Sequence, residues 1–122
     1  MIDYNLLDSS IWVDYLINGK HKDLVENEKR LLLATISIIE IIKKLNKLKI
    51  PKKEIAQKIS YVKKQSILIN LDENIADRAS QITVEKDLHV ADSIIYASAA
   101  VNNATLLTLD NDFRALDGVK VL

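Results

Sequence analysis

The chain has 122 residues, 48% of them hydrophobic and 28% charged, and its formal net charge is zero. These values suit one domain over residues 1–122 with a real apolar core, and they exclude an intrinsically disordered chain. Cysteine is absent, which excludes disulfides and thiolate metal sites and fits a cytoplasmic location, and no run approaches the roughly 18 apolar residues of a membrane span.

Short apolar strands alternate with amphipathic helices along the chain. Strands are predicted at 4–8, 31–35, 66–70, 105–109 and 119–122. Helices are predicted from Ser9 or Ser10 to about Ile17 and over 37–49, 52–64, 73–85 and 90–101, with a polar helix or loop over 21–30. Strands that are apolar throughout and alternate with helices indicate an α/β fold, a sandwich of helices around a mainly parallel sheet.

Positive charge is concentrated in the first half of the chain. Residues 1–64 contain 13 Lys and Arg against 8 Asp and Glu, and nine lysines lie between Lys43 and Lys64. The lysines either form ordinary solvated helix faces or attract a phosphate backbone. Beside them lies an apolar stripe of Ile55, Ile59 and Val62. It packs on the protein's own sheet or on a second copy in a dimer, or it forms part of a groove, within residues 37–64, for an acidic-tailed partner.

Four acidic residues are predicted to meet at one edge of the sheet. Asp8 and Asp110 directly follow apolar strands, whereas Glu40 and Asp92 lie near the starts of predicted helices. In parallel α/β folds, functional sites form at the carboxyl ends of the strands, where the following helices also begin. We therefore expect these four side chains to converge.

Each acid also has a purely structural interpretation. Ser37 and Glu40 fit a capping box, in which the glutamate binds only backbone N–H groups. Asp92 can complement the dipole of its helix, and Asp8 and Asp110 can start turns or cap the next helix. Four carboxylates at one edge would nevertheless repel each other, and a divalent cation removes that conflict. Oxygen ligands without cysteine select a hard ion, Mg²⁺ or Mn²⁺.

Four segments together carry a family resemblance. The runs LLDSSIWVDYL, TISIIEIIKKL, HVADSIIYASA and LLTLDNDF, in this order and spacing, resemble the acidic motifs of the PIN domain. The similarity is closest to the VapC toxins of type II toxin–antitoxin pairs and runs from about Asn5 to Leu122, so residues 1–122 are interpreted as one PIN domain. The resemblance implies a Rossmann-like α/β/α sandwich and an Mg²⁺- or Mn²⁺-dependent ribonuclease.

Carried over residue by residue, the resemblance assigns roles within these motifs. Asp8, Glu40, Asp92 and Asp110 fall on the catalytic acidic positions, with Asp8 and Asp92 as the principal metal ligands. Three further residues match supporting positions: Ser10, Thr108 and Asp112. Leu109 departs from the family pattern, because a polar or basic residue is frequent at its position, and the departure concerns substrate contacts rather than metal binding.

The function implied by the resemblance is that of an endoribonuclease in which metal-activated water hydrolyses RNA phosphodiester bonds. It would be the toxin of a type II toxin–antitoxin system, with RNA as substrate, a cognate antitoxin as partner, a homodimeric state and a cytoplasmic location. The alternative is a catalytically silent PIN module that binds RNA or protein. A phosphatase interpretation of Asp110 and Asp112 is disfavoured, since only ten residues follow Asp112.

Overall fold

Strands and helices alternate throughout the computed structural model, which describes residues 3–27 and 30–122. Within those residues the strands are β1 Tyr4–Leu7, β2 Arg30–Ala34, β3 Ser66–Ile69, β4 Thr105–Thr108 and β5 Val119–Val121. The α-helices are α1 Ser9–Asn18, α2 Lys22–Glu26, α3 Thr35–Lys47, α4 Lys52–Gln65, α5 Glu73–Lys86 and α6 Val90–Val101. None of these helices is both long and apolar enough to cross a membrane.

The sheet has the strand order β3-β2-β1-β4-β5, and every neighbouring pair is parallel. The prediction of an α/β fold with a mainly parallel sheet is confirmed. The first strand, β1, is central, and its Leu6 pairs with Leu32 of β2 and Leu106 of β4. The carboxyl ends of three neighbouring strands therefore lie side by side, and the helices that follow them start at the same edge.

Successive strand residues point to opposite sides of the sheet, so both faces carry apolar side chains. Helices cover both faces. Leu6 belongs to an apolar cluster with residues of α5 and α6, whereas Leu7 belongs to a second cluster with residues of α1, α3 and α4. Trp12 and Phe113, the largest fully buried side chains, lie in different clusters. This two-sided burial is the reason that the inner strands β1, β2 and β4 are mainly apolar, whereas the edge strand β3 leaves Ile67 and Leu68 exposed.

The apolar stripe on α4 is part of the second cluster. Ile55, Ile59 and Val62 are only 6%, 6% and 0% exposed. The expectation that these side chains contribute to a groove for a partner is therefore wrong, and the alternative, packing on the protein's own sheet, is right. The lysines of α4 lie on the other side of the helix because its apolar positions follow the helical period.

Element boundaries differ from the predictions by one or two residues. Helix α1 is capped by Asp8, whose side chain accepts a hydrogen bond from the Ser9 backbone, and not by Ser9 or Ser10. Helix α3 begins two residues earlier than predicted, at Thr35. Part of the predicted polar segment 21–30 forms α2, while positions 28 and 29 lie outside the described residues. A single-turn 3-10 helix, Asn111–Phe113, was not predicted.

Candidate active site

The carboxyl edge of the sheet brings the predicted acids together. Asp8 follows β1, Glu40 lies in α3 after β2, and Asp92 lies in the first turn of α6. Asp110 comes two residues after β4. Burial, followed by the negative charge of Asp8, raises the pKa of Glu40, and burial, followed by the charges of Asp110 and Asp8, raises the pKa of Asp92. These mutual electrostatic effects agree with the convergence of the four side chains at one edge of the sheet.

Asp8 is a buried carboxylate held by three hydrogen bonds. Its Oδ1 accepts from the Ser9 N–H at 2.8 Å, and its Oδ2 accepts from Ser10 Oγ at 3.0 Å and from Thr108 Oγ1 at 2.8 Å. Both hydroxyls also accept hydrogen bonds, Ser10 from the Leu109 N–H at 3.1 Å and Thr108 from the Asp110 N–H at 3.0 Å. Since those N–H groups occupy hydroxyl lone pairs, each hydroxyl proton points at Asp8.

The segment after β4 forms a tight turn that presents two carboxylates. Asp110 Oδ1 accepts from the Asp112 N–H at 2.9 Å and so caps the 3-10 helix, which is anchored by the fully buried Phe113. Carboxylate oxygens of Asp92, Asp110 and Asp112 lie within 4.8 Å of one another. The structural interpretation of Asp110 as a cap is thus correct, but the cap uses only one of its oxygens.

Asp92 carries the clearest sign of electrostatic strain. Burial, followed by the charges of Asp110 and Asp8, raises its pKa to about 6, against an ordinary value of 3.8. The charge of His89 opposes this shift in part. No side chain or backbone N–H among residues 3–27 and 30–122 donates a hydrogen bond to the Asp92 carboxylate. A helix-dipole role alone does not explain a half-buried carboxylate surrounded by others.

Glu40 does not take part in a capping box. The residue at the N-cap of α3 is Ala34, which has no side-chain cap, and Ser37 is a completely buried residue in the first turn. Burial, followed by the charge of Asp8, raises the pKa of Glu40, while a hydrogen bond from the Ser9 side chain lowers it. Its buried Oε1 has no hydrogen-bond partner in the described part of the chain. Unpaired buried oxygens are costly, so the structural interpretation fails here.

The donor set fits a divalent cation. Three carboxylates with oxygens within 4.8 Å, a fourth that is buried beside them and an unpartnered Glu40 oxygen supply hard ligands and an excess of negative charge. These are the conditions under which Mg²⁺ or Mn²⁺ binds. Asp112, predicted only as a supporting residue, belongs to the closest group of three, whereas Asp8, predicted as a principal ligand, lies outside that group.

The structure adds Ser9 to the residues that the sequence singled out. Its backbone N–H binds Asp8 and its side chain binds Glu40, so it connects two of the acids. The run Asp8-Ser9-Ser10 contained the signal, because two hydroxyls follow the acid directly. The sequence predicts a supporting role for Ser10 and only a possible helix cap at Ser9.

Comparison with known proteins agrees with this geometry. The family model of the PIN domain matches residues 6–119. Among solved structures, a toxin–antitoxin complex from Klebsiella pneumoniae is similar at 25% identity, with a TM-score of 0.80 and 96% of each chain covered. No curated protein gives a significant match.

Two less similar structures share the fold. VapBC2 from Rickettsia felis, bound to a DNA fragment from its promoter, has 17% identity and a TM-score of 0.73 and covers 98% of this chain and 97% of its own. VapC20 of Mycobacterium tuberculosis, a toxin that cleaves the sarcin–ricin loop, has 14% identity and a TM-score of 0.73, covering 93% and 95%. The resemblance to the PIN domain, and to VapC toxins within it, is confirmed.

Proposed function

The chain belongs to the PIN domain family, and on that premise we propose that it is an Mg²⁺- or Mn²⁺-dependent endoribonuclease, the toxin of a type II toxin–antitoxin pair. The observation that carries the proposal is the acidic edge itself. Asp92 has a pKa raised to about 6, receives no hydrogen bond from the described residues, and lies beside the carboxylates of Asp110 and Asp112. A bound divalent cation would relieve this repulsion, which no hydrogen bond to Asp92 from the described residues does.

The residues of the site would have different roles in phosphodiester hydrolysis. Asp92, Asp110 and Asp112 would hold the cation, with Asp8 beside them. When bound, a divalent cation neutralises these carboxylates, polarises the phosphate and makes water more acidic. Glu40 Oε1, a buried acceptor without a partner in the described part of the chain, would take a proton from the attacking water. Burial and the charge of Asp8 raise the pKa of Glu40, which makes its carboxylate a stronger base.

Ser10 and Thr108 act on the reaction through Asp8. Their hydroxyls fix its carboxylate at 3.0 and 2.8 Å, and the same hydroxyls bind the backbone at Leu109 and Asp110. The position of Asp8 relative to Asp110 is therefore set before any ligand arrives. A site organised in advance loses little free energy to reorganisation during the reaction.

The proposed partners follow from the same family assignment. We propose RNA as the substrate, a cognate antitoxin as the inhibitor and a homodimer as the working state in the cytoplasm. The similar structure from Klebsiella pneumoniae is a toxin–antitoxin complex, which supports an antitoxin partner for this chain. Co-purification with the product of a neighbouring gene, followed by measurement of the mass of the complex, tests both the partner and the dimer.

The experiment that tests the nuclease is direct. Purified protein is incubated with total RNA in Mg²⁺, in Mn²⁺ and in EDTA, and the new ends are mapped by sequencing. We expect defined internal cuts with a 5′-phosphate and a 3′-hydroxyl in the presence of either cation, and intact RNA in EDTA. A cation-dependent rise in melting temperature without any cleavage would instead identify a silent PIN module that binds RNA or protein.

Glu40→Gln is expected to lower the cleavage rate by about 10²- to 10³-fold, the range for loss of a general base. The melting temperature should stay the same or rise slightly, because a neutral amide removes the cost of burying a charge next to Asp8. Initial rates on a labelled RNA and thermal melts in EDTA give the two values. Glu54→Gln, on the exposed start of α4, is the matched control. An active Glu40→Gln protein would remove this residue from the chemistry.

A further inference from the structure

A cleft of about 600 Å³ opens directly beside the acidic site, between α1 and α3. It shares Ser9, Ser10 and Glu40 with the site, so the two are continuous. From there it extends along both helices, as far as Asn18 on α1 and Lys47 on α3. The mechanism described above uses only the end of the cleft that contains Glu40.

Helix α3 lines the cleft with one continuous stripe of charged residues. Lys43, Lys44 and Lys47 follow Glu40 at spacings of three, four and seven residues, which places all four on the same helix face. At 1.5 Å per residue, the stripe from Glu40 to Lys47 is about 10 Å long. The stripe thus begins at Glu40, which belongs to the site, and continues away from the site with three lysines.

Acidic side chains of the described residues do not pair with these lysines. Within residues 3–27 and 30–122, no carboxylate lies within 4.0 Å of Lys43, Lys44 or Lys47, whereas Lys58 of α4 pairs with Glu54 at 3.7 Å. The acid that faces them across the cleft, Asp14, is already engaged. It accepts from Asn18 at 2.8 Å and binds His21 Nε2 at 2.7 Å.

The opposite wall and the floor of the cleft are partly apolar. Val13 of α1 and Leu109, which follows β4, line the cleft and pack against the second core cluster below it. Leu109 is also held at the site, because its N–H donates to Ser10 Oγ at 3.1 Å. An occupant that matches these walls has regularly spaced negative charge on one side and flat apolar groups on the other. A single nucleic-acid strand has both, since its bases are not hidden in a duplex.

We propose that the cleft between α1 and α3 binds single-stranded RNA on one side of the scissile bond, with Lys43, Lys44 and Lys47 contacting backbone phosphates and a base resting on Val13 and Leu109. The inference rests on the proposed ribonuclease function and adds the path by which the strand reaches the acids. It also assigns a role to Leu109, where the family pattern has a polar or basic residue: this position supports a base while α3 supplies the charge.

The test compares two double variants that remove the same charge. Lys44→Ala with Lys47→Ala removes two lysines from the cleft. Lys63→Ala with Lys64→Ala removes two exposed lysines from the end of α4, next to the amino end of β3 and thus at the opposite edge of the sheet. Both are made in the Asp92→Asn background so that RNA stays intact. The probe is a short fluorescein-labelled single-stranded RNA of mixed sequence, and anisotropy gives its Kd over a range of KCl concentrations.

The cleft variant should bind the RNA about tenfold more weakly than the control variant. Its plot of log affinity against log salt should also be shallower by about 1.4, since each phosphate contact on a single strand contributes roughly 0.7 to that slope. Equal affinities and slopes for the two variants would overturn the inference. So would a cleft variant that loses affinity for a Glu-rich peptide but not for RNA, because the cleft would then be a protein-docking site.

Failure of the inference is distinguishable from failure of the proposed function. Cleavage by the unmodified protein in Mg²⁺ or Mn²⁺ is scored separately from binding. Cleavage together with equal binding of the two lysine variants means that the strand approaches the acids by another route. If the unmodified protein cleaves no RNA in either cation, the proposed function is wrong. The RNA-binding role of the cleft, which rests on that function, is then wrong as well.

Discussion

Asp92→Asn is expected to abolish RNA cleavage and, at the same time, to raise the melting temperature of the cation-free protein at neutral pH. Cleavage should fall by at least about 10³-fold because a charged ligand of the cation is lost. Stability should rise because the charged form of Asp92 is disfavoured in the folded protein, as its pKa of about 6 indicates. Few substitutions are expected to improve the fold while removing the activity.

The sign of the pH dependence follows from the direction of that shift. An acid whose pKa is raised on folding binds more protons in the folded state than in the unfolded one between pH about 4 and 6. The cation-free protein should therefore lose stability as pH rises through this interval. Glu40, whose pKa is also raised, adds to the same trend. In Asp92→Asn the loss should be smaller.

The size of the effect is modest because Asp92 is partly exposed. A pKa of about 6 instead of 3.8 corresponds to about 3 kcal/mol without screening. Solvent reduces this to about 1 kcal/mol, or about 4 °C in melting temperature. Thermal melts in EDTA at pH 4.5 and pH 7.5 test it, with the exposed Asp77→Asn as control. An Asp92→Asn protein that melts below the unmodified protein at pH 7.5 would contradict the electrostatic account.

The stabilisation of the protein by Mg²⁺ should also depend on Asp92. The unmodified protein gains stability from the cation by mass action, and the gain should be largest above pH 6, where Asp92 is ionised, and should fade below it. Asp92→Asn should gain little at any pH. The rise in melting temperature on adding Mg²⁺, measured across this range, separates loss of the ligand from general loss of the fold.

Asp8→Asn should abolish cleavage as well, but it should destabilise the protein. Asp8 is 5% exposed and accepts from three donors, the Ser9 N–H and the hydroxyls of Ser10 and Thr108. An asparagine amide places an NH₂ group against at least one of them in either orientation. Each buried donor left unpaired costs about 1–3 kcal/mol. Equilibrium unfolding in urea should show a loss of that size.

A double-mutant cycle of Asp8→Asn and Thr108→Val tests the cause of the expected instability of Asp8→Asn. Valine removes the hydroxyl that donates to Asp8, so part of the cost of Asp8→Asn should disappear when both changes are combined. If the two costs simply add, the Thr108 hydroxyl is not responsible for the instability of Asp8→Asn. Thr83→Val serves as a control for removal of a partly buried hydroxyl away from Asp8, since Thr83 donates to Ser93 at 2.8 Å.

Periodicity and topology rules predicted most of the framework. Helix α6 has the predicted bounds, Val90–Val101, because its apolar positions are regular and its neighbours are polar. The convergence of Asp8, Glu40, Asp92 and Asp110 followed from the rule that sites form at the carboxyl ends of parallel strands. That rule needs only the order of strands and helices and no knowledge of side-chain contacts.

Predictions that depend on contacts between side chains were less accurate. The sequence Ser37-Ile-Ile-Glu40 fits a capping box, but β2 ends at Ala34 and the helix begins directly, so Ser37 is inside the first turn. The stripe on α4 had two possible neighbours, and only the assembled sheet shows that it packs in the core. Asp112 lies close to Asp92 and Asp110 because of the turn that Phe113 anchors, and the sequence does not predict that turn.

The hydrogen bond between Thr108 and Asp8 connects residues that are 100 positions apart in the chain. During synthesis, Asp8 and Glu40 are made well before β4, yet the central strand β1 gains its partner on that side only when residues 105–108 have been added. Asp8 cannot be fixed and Asp110 cannot take its place until then. A growing chain therefore cannot complete the proposed nuclease site before β4 has been made and has paired with β1.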